Sequence, residues 1–152
     1  MIDEILAEFL QSGLGIHLGT RNEQLEPCGC RATAVKVEDD GKHVVVFVPK
    51  HASPQIFENL RTNGRVAISI SRPADERAVQ VKGLMLFSWD AKPEEEALAR
   101  VQWGGFLGQL EAIGLPGVAT SSWRVFPSVA VRLKVTALFN QTPGPDAGAA
   151  LP

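Results

Sequence analysis

The stretch from Gly64 to Gly83 constrains the fold of this chain more than any other. It reads as two strand-like runs around a short polar connection at Ala74-Asp75-Glu76-Arg77. In the first run Val66, Ile68 and Ile70 alternate with Ala67, Ser69 and Ser71. In the second, Val79 and Val81 alternate with Ala78, Gln80 and Lys82. Successive strand residues point to opposite faces, so this period of two predicts an antiparallel hairpin with one apolar face. The other face carries hydroxyls, an amide and an ammonium, with Arg72 and Arg77 at the turn. Such a surface suits a flat, polar, anionic ligand.

The remaining pattern is mainly β with helices. Ile2, Ile5, Leu6, Phe9 and Leu10 recur at helical spacing, and Ser12-Gly13 is a stop. Strands are predicted over Gly15–Thr20, Pro27–Glu38 and His43–Val48, the last two joined by the turn Asp39-Asp40-Gly41. The unbroken apolarity of His43–Val48 predicts burial on both faces. Ser53-Pro54 reads as a helix cap followed by proline at the first helical position, and Asn63-Gly64 as that helix's end. The second hairpin strand extends through Leu84, Leu86 and Trp89. A helix runs from Pro93 to about Gly114, weakened by Gly104-Gly105. Leu115–Val125 is irregular, and Ser128–Phe139 is the last strand. Tight hairpin connections favour a six-stranded antiparallel barrel over 1–140. The Pro, Gly and Ala of 141–152 predict an extended or mobile tail.

Composition excludes several classes. The 152 residues are 45% hydrophobic and 21% charged, with a net charge of −2. Nothing drives bulk association with nucleic acid or an anionic membrane. No apolar run reaches the length of a bilayer span. The acidic start, Met1-Ile2-Asp3-Glu4, lacks the marks of a secretory leader, so a cytoplasmic location is expected. Cys28-Gly29-Cys30 has poor zinc spacing and reads as a buried pair of small strand residues. No metal site is expected from it, nor from the scattered His17, His43 and His51. No catalytic acid, base or nucleophile stands out.

Several segments together resemble the pyridoxamine 5′-phosphate oxidase-like family with its FMN-binding split barrel. They are Gly19-Thr20-Arg21 with Pro27, Asn59-Leu60 to Arg65-Val66-Ala67, Ser71-Arg72-Pro73, Gln80-Val81-Lys82-Gly83 and Phe139 to Pro145. The match is nearest to the small bacterial branch of that family. The resemblance implies a split β-barrel, a homodimer, and FMN at the subunit interface serving an oxidoreductase of unknown substrate. Deazaflavin or haem is the alternative cofactor, and a non-enzymatic binding module or an empty site the alternative function. It places Lys50, His51 and Ser53 at the flavin phosphate, with helix amides exposed beyond Ser53. Ser69, Ser71, Arg72, Gln80 and Lys82 would face the ligand, and Trp123 could cover a flavin edge. Ser53-Pro54-Gln55 stands where the oxidases carry Ser-Arg-Lys. Their substrate-binding Arg and His near the C-terminus have no counterpart, so the resemblance does not extend to vitamin B6 oxidation.

Overall fold

The alternation between Gly64 and Gly83 does form a hairpin. Strands β5 (Arg65–Ser71) and β6 (Ala78–Asp90) pair antiparallel, Ser69 opposite Gln80 and Ile68 opposite Val81. Val66, Ile68, Ile70, Val79 and Val81 are buried. The structure, a computed structural model, describes residues 1–152. Around this hairpin lie β1 (Gly15–Arg21), β2 (Pro27–Ala32), β3 (Ala34–Val37), β4 (His43–Pro49) and β7 (Ser128–Asn140). All belong to one antiparallel sheet in the order β2-β1-β5-β6-β7-β4-β3, which curls into a half-barrel. The helices are α1 (Glu4–Leu10), α2 (Pro54–Asn63), α3 (Pro93–Ala112) and α4 (Gly117–Thr120).

The sheet has seven strands where the sequence pattern predicts six. The difference lies at Thr33. Up to Ala32 the chain pairs with β1, and from Ala34 onward it pairs with β4. Thr33 makes the exchange, its amide donating to the Phe47 carbonyl at 2.9 Å and its hydroxyl to the same oxygen at 3.3 Å. The inward face shifts by one residue there, from Cys28, Cys30 and Ala32 to Val35 and Val37, but Ala32-Thr33-Ala34 are all small, so hydropathy does not show the break and reads one strand where there are two. Two smaller differences stand beside it. Segment 115–125, read as irregular, contains the short α4. The tail beyond Gln141 is not free. Leu151 donates its amide to the Leu138 carbonyl at 2.9 Å, and Ala150 bridges to Phe139.

The inner face of the half-barrel holds the main core, built from residues such as Ile16, Leu18, Val46, Ile68, Val81 and Leu133. Full burial of each such side chain contributes about 1.5–3 kcal/mol. Phe9 and Leu10 from α1 and Ile56 and Leu60 from α2 join it. Helix α2 begins where the sequence places it, with Ser53 as cap and Pro54 in the first turn, and ends at Gly64 with φ of 65°. Strand β4 is buried on both faces as expected, its alternate residues Val45 and Phe47 packing outward against Ala99 of α3. Helix α3 crosses the outer side of the sheet and carries Trp103 and Phe106 into a third cluster with Val125. Its glycines permit a close crossing, since Gly105 lies against Gly13. No helix is long and apolar enough to cross a membrane.

Candidate functional site

Strand registers align outward-facing residues in rows across the sheet. One row runs Arg31, His17, Ser69, Gln80, Phe139 across β2, β1, β5, β6 and β7. The next row runs Gly29, Gly19, Ala67, Lys82, Ala137. Gly29, Gly19 and Ala67 carry almost no side chain, so three neighbouring strands present a smooth shelf. The shelf is open. A Cβ built on Gly19 would meet nothing nearer than the Ala67 carbonyl oxygen at 3.9 Å. Packing within the chain therefore does not require glycine there, and the cleared space has room for a planar group.

Arg31 stands at one end of the polar row. Its guanidinium carbon lies 5.2 Å from the Phe106 ring centre and 4.9 Å from that of Trp123. The five ion pairs of the chain lie elsewhere, so this half-buried cation has no carboxylate partner. Burial pulls its pKa below the usual arginine value. The same environment acts on His17, where burial first and the Arg31 charge second push the imidazole below its ordinary value. His17 thus favours its neutral form beside a fixed positive charge.

The expected site residues fall into three groups. Ser69, Gln80 and Lys82 border the shelf, with the Lys82 ammonium 4.9 Å from the Phe139 ring centre. Lys50, His51 and Ser53 lie on the connection into α2. There Lys50 pairs with Asp90 at 2.8 Å, and His51 Nε2 contacts the Arg124 carbonyl at 2.5 Å. Ser53 Oγ accepts from the Gln55 amide at 3.4 Å. His51 thereby anchors the residue next to Trp123, and Trp123 covers Arg31, so this group connects to the shelf through that arginine. Ser71 and Arg72 sit apart. Ser71 lies one row further along, opposite Gly15 and Ala78, where Phe106 approaches Gly15. Arg72 is held by Asp75 at 2.6 and 2.9 Å and lies 5.3 Å from the Phe9 ring centre.

Sequence reasoning missed Arg31, His17 and the Gly19–Gly29 shelf. Glycines at matching alternate positions of adjacent strands were the available signal, though they gain meaning only once the register is known. Cys28 and Cys30 are free thiols packed against the inner core, half-buried where the sequence reading has them buried. Glu38, Asp40 and His43 gather ligand-type atoms within 4.8 Å of one another. Glu38 is already held there by Arg132 at 2.6 and 2.7 Å, and Asp40 by His43 at 2.6 Å.

No family model and no curated protein matches the chain. Solved structures do. An F420 reductase superposes with a TM-score of 0.59 at 18% identity, over 86% of this chain and 93% of that one. A provisionally assigned pyridoxamine 5′-phosphate oxidase from Lactobacillus delbrueckii gives 0.55 at 13% identity, over 90% and 92%. An FMN-binding protein from Syntrophomonas wolfei gives 0.54 at 11% identity, over 90% and 86%. The chain therefore has the split-barrel fold of pyridoxamine 5′-phosphate oxidase-like proteins. At these identities the likeness is one of fold, and function has to be argued from the site itself.

Proposed function

We propose that this protein binds a flavin, FMN in the first instance, on the Gly19–Gly29–Ala67 shelf and serves as an oxidoreductase. The observation that carries the reading is the open shelf bordered by Arg31, a half-buried cation without a partner. A planar ring system fits a surface from which side chains are absent. Ser69 and Gln80 would hydrogen-bond its polar edge, and Lys82 would stand beside it. Arg31 would hold the phosphate, supported by Lys50, His51 and the α2 start at Ser53. Bound flavin supplies two-electron chemistry, while the protein orients the ring and sets the charge around it. Trp123 would keep Arg31 in place and shield it from water.

We infer further that the working form is a homodimer. Leu84, Leu86 and Phe87 of β6 are 39%, 43% and 52% exposed. They form a continuous apolar stretch that a second copy would cover.

The test is a fluorescence titration with FMN and with riboflavin, repeated on Gly19→Val. The wild type should bind FMN well and riboflavin poorly. The variant should keep its fold, because its Cβ meets open space, and lose FMN. Equal flavin binding by both proteins would overturn the reading. Haem is the competing ligand, because His17 is the one histidine without a hydrogen-bond partner. A Soret band on adding haemin, abolished by His17→Ala, would replace flavin with haem.

A further inference from the structure

The β1–β5 ladder stops at Gly19 opposite Ala67, while β5 stays paired with β6 as far as Arg65 opposite Leu84. The two strands part where Arg21 and Arg65 would come face to face. A cleft of about 500 Å³ opens there, next to the irregularity in β6 between Lys82 and Gly83. Its lining includes three cations, Arg21, Arg65 and Lys82, and no carboxylate. None of the three takes part in an ion pair. Arg21 Nη1 donates to the Asn22 carbonyl at 3.0 Å, and the Arg65 side chain has no hydrogen-bond partner. Arg61, Arg72 and Arg132, by contrast, each stand 2.6 Å from a carboxylate. Three unpaired cations around one cavity, in a chain of net charge −2, concentrate positive potential at that spot. Gly19 and Ala67 put no large side chain on the floor between them.

We propose that this cleft binds a ligand group bearing at least two negative charges, a phosphoryl group or paired carboxylates. Its place in a reaction rests on the flavin reading, whereas its affinity for anions does not. The Arg31 row and the Arg21 position are four residues apart along β1, about 14 Å at strand rise. One phosphate cannot serve both ends of the shelf. If Arg31 holds the flavin phosphate, the cleft takes an anionic group of the second reactant or of a longer cofactor tail.

Calorimetry with pyrophosphate at low ionic strength tests the assignment. The proteins are wild type, Arg65→Ser, Arg21→Ser/Arg65→Ser, and Arg61→Ser on exposed α2 as control. Wild type and control should bind alike. The double variant should lose about tenfold or more, as expected for removing charge-assisted contacts, and the exposed single variant part of that loss. Added salt should weaken binding. Failure of the wild type to bind pyrophosphate, or equal binding by all four proteins, overturns the proposal. FMN titrations run in parallel separate the two readings, because pyrophosphate binding without FMN binding would sink the flavin and keep the cleft. Comparing FAD with FMN then identifies the source. Selective loss of FAD affinity in the double variant assigns the cleft to a cofactor tail. Unchanged affinity for both flavins, with pyrophosphate binding lost, assigns it to the second reactant.

Discussion

Arg31 lies against Trp123, guanidinium carbon to ring centre 4.9 Å, and against Phe106 at 5.2 Å. Two aromatic rings hold the charge without neutralising it. Arg31→Met should therefore leave the fold intact and lower FMN affinity by about ten- to a hundredfold, the range of a lost charge-assisted hydrogen bond. Riboflavin, which has no phosphate, should lose much less. The same fluorescence titration reads both ligands, and an unchanged FMN affinity would remove Arg31 from the site.

Gln102 on α3 clamps edge strand β3. Its Oε1 accepts from the Val35 amide at 3.1 Å, and its Nε2 donates to the Val35 carbonyl at 2.8 Å. One side chain thus caps both free backbone groups of Val35 on this edge strand, and Gln11 Oε1 accepts from the Val37 amide at 3.0 Å. Gln102→Leu would strand a buried donor and a buried acceptor, at a cost of about 2–4 kcal/mol. Urea denaturation should show this as a lower midpoint, and a shift below about 0.5 kcal/mol would mean that water replaces the amide.

Cys30 points into the core, and burial, with Cys28 second, raises its thiol pKa to about 11 from 9.0. The thiolate is the reactive form, so at pH 8 the two-unit rise should slow alkylation about a hundredfold against a free cysteine. Reactivity should climb with pH until about 11. Mass spectrometry after iodoacetamide pulses across that range gives the profile. Rapid labelling at pH 8 would show that the strand opens often.

Two glycines near the α3 crossing should respond oppositely to alanine. Gly13 has φ of 78°, and a Cβ there would stand 2.8 Å from the Gln102 carbonyl oxygen. Gly13→Ala should destabilise by about 1–3 kcal/mol. Gly104 has nothing within 4 Å, so Gly104→Ala should stabilise by up to about 1 kcal/mol through helix propensity. Thermal melts of the two variants shifting in the same direction would contradict this account of the crossing.

The β5–β6 hairpin was legible because alternation and burial coincide there, Ser69 and Gln80 outside and Ile68 and Val81 inside. The α2 cap was legible because Ser53-Pro54 acts locally. Thr33 was not, since the inward face shifts by one residue across the small run Ala32-Thr33-Ala34, where hydropathy has no contrast to show it. Nor was the docking of the tail, because Gly148 donates its backbone amide to the Asn140 carbonyl at 2.7 Å, and backbone bonds leave no mark in composition. The site divided along the same line. The alternation announced the face on which Ser69, Gln80 and Lys82 stand. Arg31 looked like any strand arginine, and its meaning depends on Phe106 and Trp123 far along the chain.

Thr33 gives the sheet a property that its strand order alone does not suggest. In an open sheet the two outermost strands can fray separately, each at its own end. Here β2 and β3 are those outermost strands, and a single residue separates them. Peeling β2 from β1 pulls on β3 and on the Gln102 clamp behind it. The weakest margins of the sheet are mechanically one object, so amide protection along both should rise and fall together.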